Sequence, residues 1–285
     1  MCLTSRLPIM RSTRVSKRNA TFQQWQTLLT NRTKRTRAGE FIVQGVRPIT
    51  LAVEQGWTVR SFLYADGARL SQWAKDLLAS TPAAHFALAP ELLAELAEKD
   101  EGAPEMLAVV EMPPDDLARI PTGAGPTLVF DRPSSPGNIG TMIRSIDALG
   151  GSGLIVTGHA SDPFDSKCIR ATTGSFFAVP TVRVDSHADV LAWVTDRRTK
   201  GERVAVLGTD EGGDATPHES DLTGSDVIVI GNETRGMTAA WREACDRVLS
   251  IPMTGSASSL NAASAATVVL YEAHRQRLTR ASDAG

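Results

Sequence analysis

The sequence predicts an α/β protein in two parts, a small layered domain followed by a mostly parallel sheet covered on both faces. Three features carry this. From about residue 20 to residue 112, helical and strand periodicities alternate in short blocks. Residues 113–126 (PPDDLARIPTGAGP) contain four prolines and two glycines with little periodicity, which reads as a linker. Beyond it short apolar runs return, separated for the most part by helical patterns, as a parallel sheet requires. The boundaries that follow are a flexible basic N-terminus over 1–15, a first domain over 16–112, a linker over 113–126 and a second domain over 127–280.

In chain order, ATFQQWQTLLT (20–30) places Phe22, Trp25, Leu28 and Leu29 on one helical face. The basic TNRTKRTRAG follows, then EFIVQG, a strand ended by Gly45. Residues 47–55 read as a helix, Val59–Tyr64 as a strand, and Leu70–Ser80 and 90–99 as helices. Met106–Glu111 closes the first domain as a strand. In the second, strands are predicted at Thr127–Asp131, Leu154–Thr157, Ala178–Val184, Val204–Gly208, Val227–Ile230 and Val248–Ile251. Ile139, Met142, Ile143 and Ile146 mark a helix over Ile139–Leu149, with Gly150 and Gly151 in the C-terminal capping position. A last long helix starts near Leu260, with Ser258 or Ser259 placed to cap it. Its first turns, Ala262 to Thr267, contain only Ala, Ser and Thr, so a neighbour can approach closely.

Composition narrows the function classes. No apolar run reaches membrane-spanning length, and the first twenty residues lack the apolar core of a secretory signal. Cys2, Cys168 and Cys245 have no paired spacing, which fits a reducing cytoplasm. The five histidines make no metal-ligand spacing with each other or with cysteine, so no metal site is expected. Net charge is −2, but residues 1–39 hold nine Lys or Arg and no acid, leaving 21 basic against 32 acidic residues elsewhere. A basic arm on an acidic body points to a polyanion such as nucleic acid. Within that arm Arg32, Lys34, Arg35 and Arg37 are the candidate nucleic-acid contacts.

Ligands of open parallel sheets bind beyond the carboxyl ends of the strands, and three of those exits carry unusual polar loops. They are DRPSSPGNIGTMIRS (131–145), GNETRGM (231–237) and the stretch from Pro252 to Asn261. No GxGxxG follows a strand, no GxxxxGK[ST] exists, and no GxSxG elbow is present, which removes the usual nucleotide and hydrolase fingerprints. Taken singly, Glu233 reads as a hydrogen-bonding anchor or a general acid or base. Arg144 alone reads as a surface residue paired with Asp147.

Together the three loops resemble the SpoU (TrmH) family of RNA ribose 2′-O-methyltransferases, within the SPOUT superfamily. Asn138, Gly140 and Arg144 meet its Asn-x-Gly-x-x-x-Arg motif. Gly231, Asn232, Glu233 and Gly236 meet Gly-Asn-Glu-x-x-Gly. Ile251, Pro252 and Met253, followed by Ser259, Leu260, Asn261 and Ala265, meet the third. RAGEFIVQGVRPI (37–49) resembles the family's L30e-like RNA-binding domain. The resemblance implies a SPOUT-type parallel sheet ending in a trefoil knot, a homodimer, and S-adenosylmethionine as methyl donor. By position it places Ile230, Gly231, Ile251, Met253 and Leu260 at the cofactor, with Gly208 and Thr209 bordering the same pocket. Arg144 becomes the central catalytic residue, with Asn138, Glu233, Ser259 and Asn261 fixing it and the ribose. The polyanion that the resemblance implies is RNA, with Lys167 and Arg170 added to the candidate contacts.

The reaction expected from the resemblance is attack by a ribose 2′-oxygen on a sulfonium methyl, which needs no metal. Within the family the chain is most similar to actinomycete antibiotic-resistance 23S rRNA methyltransferases of the avilamycin type, which implies a uridine in 23S rRNA as target. A tRNA ribose methyltransferase and a non-catalytic RNA-binding member are the alternatives.

Overall fold

The computed structural model describes residues 12–97 and 104–283 of the chain. It divides into one unit of Met1–Pro113 with Phe164–Ser166, and a second of Pro114–Pro163 with Lys167–Gly285. The first eleven residues, including Arg6 and Arg11 of the basic arm, and the end of the helix predicted over 90–99 lie outside the described residues. No described helix is long and apolar enough to cross a membrane.

In the first unit five strands order as β1-β4-β3-β5-β2. They are β1 (Thr13–Val15), β2 (Glu40–Gln44), β3 (Val59–Ala65), β4 (Ala84–Leu88) and β5 (Met106–Glu111). β1, β4 and β3 run parallel, while β5 is antiparallel to both β3 and β2. Alternation sends Ile42, Leu63, Leu107 and Val109 to one face. There they pack with Phe22, Trp25 and Leu28 of α1 (Ala20–Thr30) and Leu92, Leu93 and Leu96 of α5 (Pro90–Leu96). α3 (Val46–Glu54) and α4 (Gln72–Ser80) are joined by the Trp73 indole, which donates to Thr50 Oγ1 at 2.9 Å. Two sequence expectations change here. Residues 13–15 are a paired strand rather than flexible chain, and β4 is a strand that its mixed AHFAL composition hid.

The basic segment after α1 is itself a helix, α2 (Arg32–Ala38), capped by Asn31 and closed by Gly39 in the left-handed region at φ 66°. This turns Arg35 inward. Its side chain is buried, and its guanidinium donates to the carbonyls of Leu28 and Leu29, which the end of α1 leaves unpaired. Arg35 is therefore a structural cation, not a surface contact for RNA. Arg32, Lys34 and Arg37 are exposed on the same helix.

The second unit is a six-stranded, all-parallel sheet of order β11-β9-β10-β6-β7-β8. Its strands are β6 (Thr127–Asp131), β7 (Gly153–Thr157), β8 (Thr181–Val184), β9 (Val206–Thr209), β10 (Val227–Ile230) and β11 (Arg247–Leu249). β6 lies inside, with β7 and β8 wound to one side and β9 to β11 to the other, so a topological switch point falls between β6 and β10. Val129, Ile155, Val182, Val206, Val227 and Val229 face one layer with α8 (His187–Thr199) and α9 (Ala239–Ala244), through Val190, Val194 and Trp241. α6 (Pro136–Leu149) and α10 (Ala262–Asp283) pack on each other, and α10 also contacts β10.

The predicted linker is folded onto this unit. A 3-10 turn over Leu117–Arg119 seats Ile120 in the same core, and Asp115 binds both the backbone and guanidinium of Arg183. The strand predicted from Ala178 begins only at Thr181, because Ser175–Phe177 forms a 3-10 turn.

Both ends of α6 are fixed as its sequence requires. Ser135 caps the start, with Pro136 at the first helical position, and Gly150 closes it at φ 69°. Arg277 of α10 donates to the Leu149 and Gly150 carbonyls. Midway, Gly140 lets α7 (Ser166–Ala171) come close: a Cβ there would sit 2.5 Å from the Cys168 carbonyl and 2.6 Å from the Ala171 methyl. Gly140→Ala is accordingly expected to cost about 1–3 kcal/mol through overpacking. It would read as a thermal midpoint lower by about 2–4 °C per kcal/mol; an unchanged midpoint would show that α7 yields freely.

Candidate active site

The exits of β9, β10 and β11 surround a cleft of about 350 Å³. Thr209, Ile230, Gly231, Ile251, Met253, Ser259 and Leu260, all anticipated from the sequence, line it. Gly208 does not. A Cβ on it would lie 2.7 Å from Met237 Cε and 2.9 Å from Cys245 Sγ, so this glycine admits core side chains behind the cleft. At Gly231 the demand is stricter, since a Cβ would fall 2.4 Å from the Gly236 carbonyl carbon and the Met237 nitrogen. Residues 231–237 are thus a tight hairpin, closed by reciprocal bonds between Asn232 and Gly236 at 3.0 Å and by Gly236 at φ 67°.

Glu233 projects from this hairpin into the β6 exit. One carboxylate oxygen accepts from the Ser134 amide and hydroxyl, both at 2.9 Å. The other accepts from the Ser135 amide and from Asn138 Nδ2, both at 3.1 Å. Asn138 Oδ1 in turn accepts from Asn261 Nδ2 at 3.2 Å. The three loops singled out in the sequence are therefore joined by one hydrogen-bonded chain, Glu233–Asn138–Asn261. Burial pushes the Glu233 carboxyl up, but the bonds from Ser134 and Asn138 outweigh it and hold the group below its ordinary value of 4.5. The group is an ionised anchor, and a poor general base.

Asn261 also corrects the expected helix start. Its Oδ1 accepts from the Ala263 amide at 2.9 Å, and α10 begins at Ala262, so Asn261 caps the helix rather than Ser258 or Ser259, both of which are exposed. Arg144 lies further along α6 than Asn138 and is exposed. Its guanidinium bonds to no described residue; the ion pair with Asp147 is absent, because Asp147 accepts from Ser175 Oγ at 2.6 Å. Lys167 is exposed and Arg170 half-buried on α7. Among the described residues no three His, Cys, Asp or Glu side chains gather in a metal-binding group.

Sequence reading missed the support beneath this chain. Asp131 is buried at the end of β6 and accepts from the Thr238 amide at 3.0 Å, from Thr157 Oγ1 at 3.3 Å and from Arg132. Arg132 sits in the left-handed region at φ 50°, a strained conformation for a residue with a long side chain. In that pose its guanidinium bonds Asp131 and the Gly236 carbonyl (3.1 Å), while its own carbonyl accepts from Asn232 Nδ2 at 2.6 Å. Both ends of the 231–237 hairpin are thereby fastened to β6. An Asp-Arg pair after a strand carries no pattern that announces this; only the backbone does.

A parallel sheet with a cleft beside its switch point, and an Asn–Glu–Asn junction of three exit loops, define the class as an open-sheet α/β protein with its candidate site at the carboxyl ends of the strands. Residues 125–271 match the SpoU rRNA Methylase family and residues 19–108 the SpoU L30e-like domain, so the chain belongs to the SpoU rRNA methylase family. It is 57% identical over 267 residues, 93% of either chain, to the 23S rRNA (uridine(2479)-2′-O)-methyltransferase of Streptomyces viridochromogenes. The crystal structure of the SpoU methyltransferase AviRb from that organism, in complex with AdoMet, superposes with a TM-score of 0.89 and 57% identity over 92% of this chain and 99% of that one. The 23S rRNA (guanosine(2553)-2′-O)-methyltransferase RlmP of Bacillus subtilis is 31% identical, covering 90% of this chain and 96% of its own.

Linkage gives a test of the anchor. A carboxyl depressed by folding stabilises fully above its unfolded value near 4.5 and loses that contribution as pH falls through its lower folded value. The gap in thermal midpoint between the wild type and Glu233→Gln is therefore expected to be widest near neutrality and to shrink on acidification below 4.5. A gap independent of pH would mean that the charge does not hold the loops.

Proposed function

We propose that this protein transfers a methyl group from S-adenosylmethionine to a ribose 2′-oxygen of 23S rRNA, at a uridine, working as a homodimer in the cytoplasm. The observation that carries the reading is the Glu233–Asn138–Asn261 chain, which ties the 131–145 loop to the two motif loops that line the cleft. The 57% identity to a 23S rRNA uridine 2′-O-methyltransferase selects the substrate.

The cleft suits the cofactor. Thr209, Ile230 and Gly231 at the ends of β9 and β10 line the cleft, and a Cβ on Gly231 would meet the Gly236 and Met237 backbone, so the hairpin beside it packs main chain on main chain. Ile230, Ile251, Met253 and Leu260 supply apolar walls. When bound, S-adenosylmethionine supplies an electrophilic methyl on a positively charged sulfur.

The protein's part is to position and polarise. Arg144 keeps its guanidinium unpartnered, so it is available to a ribose–phosphate as a charge-assisted donor. With a pKa above about 12 it acts as a donor rather than a base. Asn138 sits six residues before it on α6, locked between Glu233 and Asn261, and so fixes the helix that presents it. Ser259 and Asn261 close the loop on the substrate side. Arg32, Lys34 and Arg37, exposed on α2, are RNA contacts of the first unit in this reading, and Lys167 and Arg170 on α7 are those of the second.

The homodimer is supported by Val268 and Tyr271, large apolar side chains that α10 leaves in solvent away from the cleft. The knot belongs to the same reading. The Ala, Ser and Thr turns at the start of α10 lie on α6, where Ser145 Oγ meets Thr267 Oγ1 at 2.7 Å. Cys168 and Cys245 are thiols rather than disulfide partners, which suits a reducing compartment. Modification by the avilamycin-resistance type of enzyme would protect the ribosome, so cells carrying the protein are expected to grow in avilamycin.

Mapping 2′-O-methyl positions in 23S rRNA and tRNA from cells with and without the protein tests the substrate. One added 23S uridine is expected; an added tRNA position would overturn it. Arg144→Ala is expected to lower kcat on the order of 10²–10³-fold while calorimetric affinity for S-adenosylmethionine is retained. Undiminished transfer would remove Arg144 from the mechanism. Tyr271→Asp is expected to shift sedimentation from dimer toward monomer.

A further inference from the structure

The charges on the cleft wall are not all matched within the protein. Four ionisable side chains line it: Asp210, Glu211, Glu233 and Arg235. Asp210 accepts from the Gly212 amide at 3.0 Å and pairs with Arg242. Glu233 is saturated by Ser134, Ser135 and Asn138. Glu211 and Arg235 differ. Both are exposed, and neither side chain bonds or pairs with any described residue, including each other.

Their backbones, by contrast, are held. The Arg235 amide donates to Asn232 Oδ1 at 3.0 Å inside the closed hairpin. The Glu211 carbonyl accepts from Ser250 Oγ at 3.1 Å, beside the turn that Asp210 closes onto Gly213. Arg235 is also the one Lys, Arg or His of the lining. Like Arg144 it has no carboxylate partner, whereas Arg132, Arg183, Arg197, Arg198, Arg203 and Arg242 in the same unit all pair with carboxylates. Two opposite charges thus stand on fixed loops at one cleft, each without an internal partner.

Backbone groups and apolar walls can hold a neutral heterocycle, but they do not match a charged amino-acid end. A ligand bearing a carboxylate and an ammonium on one carbon matches both free charges at once. We propose that Arg235 receives the carboxylate of the methyl donor's amino-acid end and Glu211 its ammonium. The inference rests on the reading of the cleft as the S-adenosylmethionine site. Arg235 offers the planar two-pronged geometry that a carboxylate fits. An RNA phosphate is the rival partner for Arg235, but the free Glu211 carboxylate on the same wall disfavours a polyanion there.

Calorimetry on the full-length protein with S-adenosylmethionine and with its decarboxylated analogue separates the cases. Binding of S-adenosylmethionine by the wild type tests the reading of the cleft; the difference between wild type and variant tests the inference. Arg235→Ala is expected to weaken S-adenosylmethionine about tenfold and leave the decarboxylated analogue unchanged, with Arg235→Lys in between. Glu211→Gln is expected to weaken S-adenosylmethionine and leave the deaminated analogue unchanged. The thermal midpoint of each variant is measured alongside as a control for folding. Equal weakening of both ligands by Arg235→Ala, or of neither, overturns the assignment. So does unchanged cofactor affinity with a raised KM for RNA and a shallower salt dependence, which would give the guanidinium to a phosphate.

Discussion

The active-site end of the second unit depends on one carboxylate. Glu233 leaves β10 on a hairpin and accepts four hydrogen bonds from the loop after β6, so two strand exits that are neighbours in the sheet become a single surface. Through Asn138 the same contact reaches Asn261 and the start of α10, which arrives more than a hundred residues later in the chain. A neutral acceptor would form weaker bonds to these donors, and a carboxylate with fewer donors would sit nearer its ordinary titration range. The site needs both the charge and its saturation. Glu233 therefore holds geometry, and with its carboxylate ionised and saturated it is poorly placed to take up a proton.

What fastens Glu233 is a second carboxylate deeper in the sheet. Asp131 is buried, and a charge there is tolerated only because Arg132, Thr157 and the Thr238 amide surround it. To pair with its neighbour, Arg132 adopts the left-handed conformation, which also aims its guanidinium at Gly236 and its carbonyl at Asn232. Such strain persists only where several contacts overdetermine it. The hairpin is thereby set by β6 before any ligand arrives, as a preorganised site requires.

The sheet was legible in the sequence because buried parallel strands are short apolar runs, and VIVI or TLVFD admits few other readings. Weakly patterned pieces were not. The short strand β1, the mixed strand β4 and the basic helix α2 owe their form to tertiary pairing and to the caps Asn31 and Gly39. Among site residues, Asn138, Glu233 and Asn261 could be found because each acts through a specific side chain, which leaves a motif. Arg35 misled for the opposite reason: a basic run announces charge, but its direction depends on where the preceding helix exposes carbonyls. Ser258 and Ser259 misled because capping is decided by geometry among several competent residues, and Asn261 had the reach.

The same distinction explains the cleft. Along the hairpin beside it, side-chain identity is constrained at Gly231, where a Cβ would meet backbone, and at Gly236, held at φ 67°, so the sequence shows two spaced glycines in place of a glycine-rich fingerprint. The free charges are hidden in a different way. Nothing in the letters separates Arg235 from Arg242, or Glu211 from Asp210, seven and one residues away. Only the fold shows that Arg242 and Asp210 neutralise each other while Arg235 and Glu211 remain unpaired. A charge left unpaired on a rigid loop bordering a cleft gains nothing within the folded chain, and the ligand that enters the cleft is what can complete it.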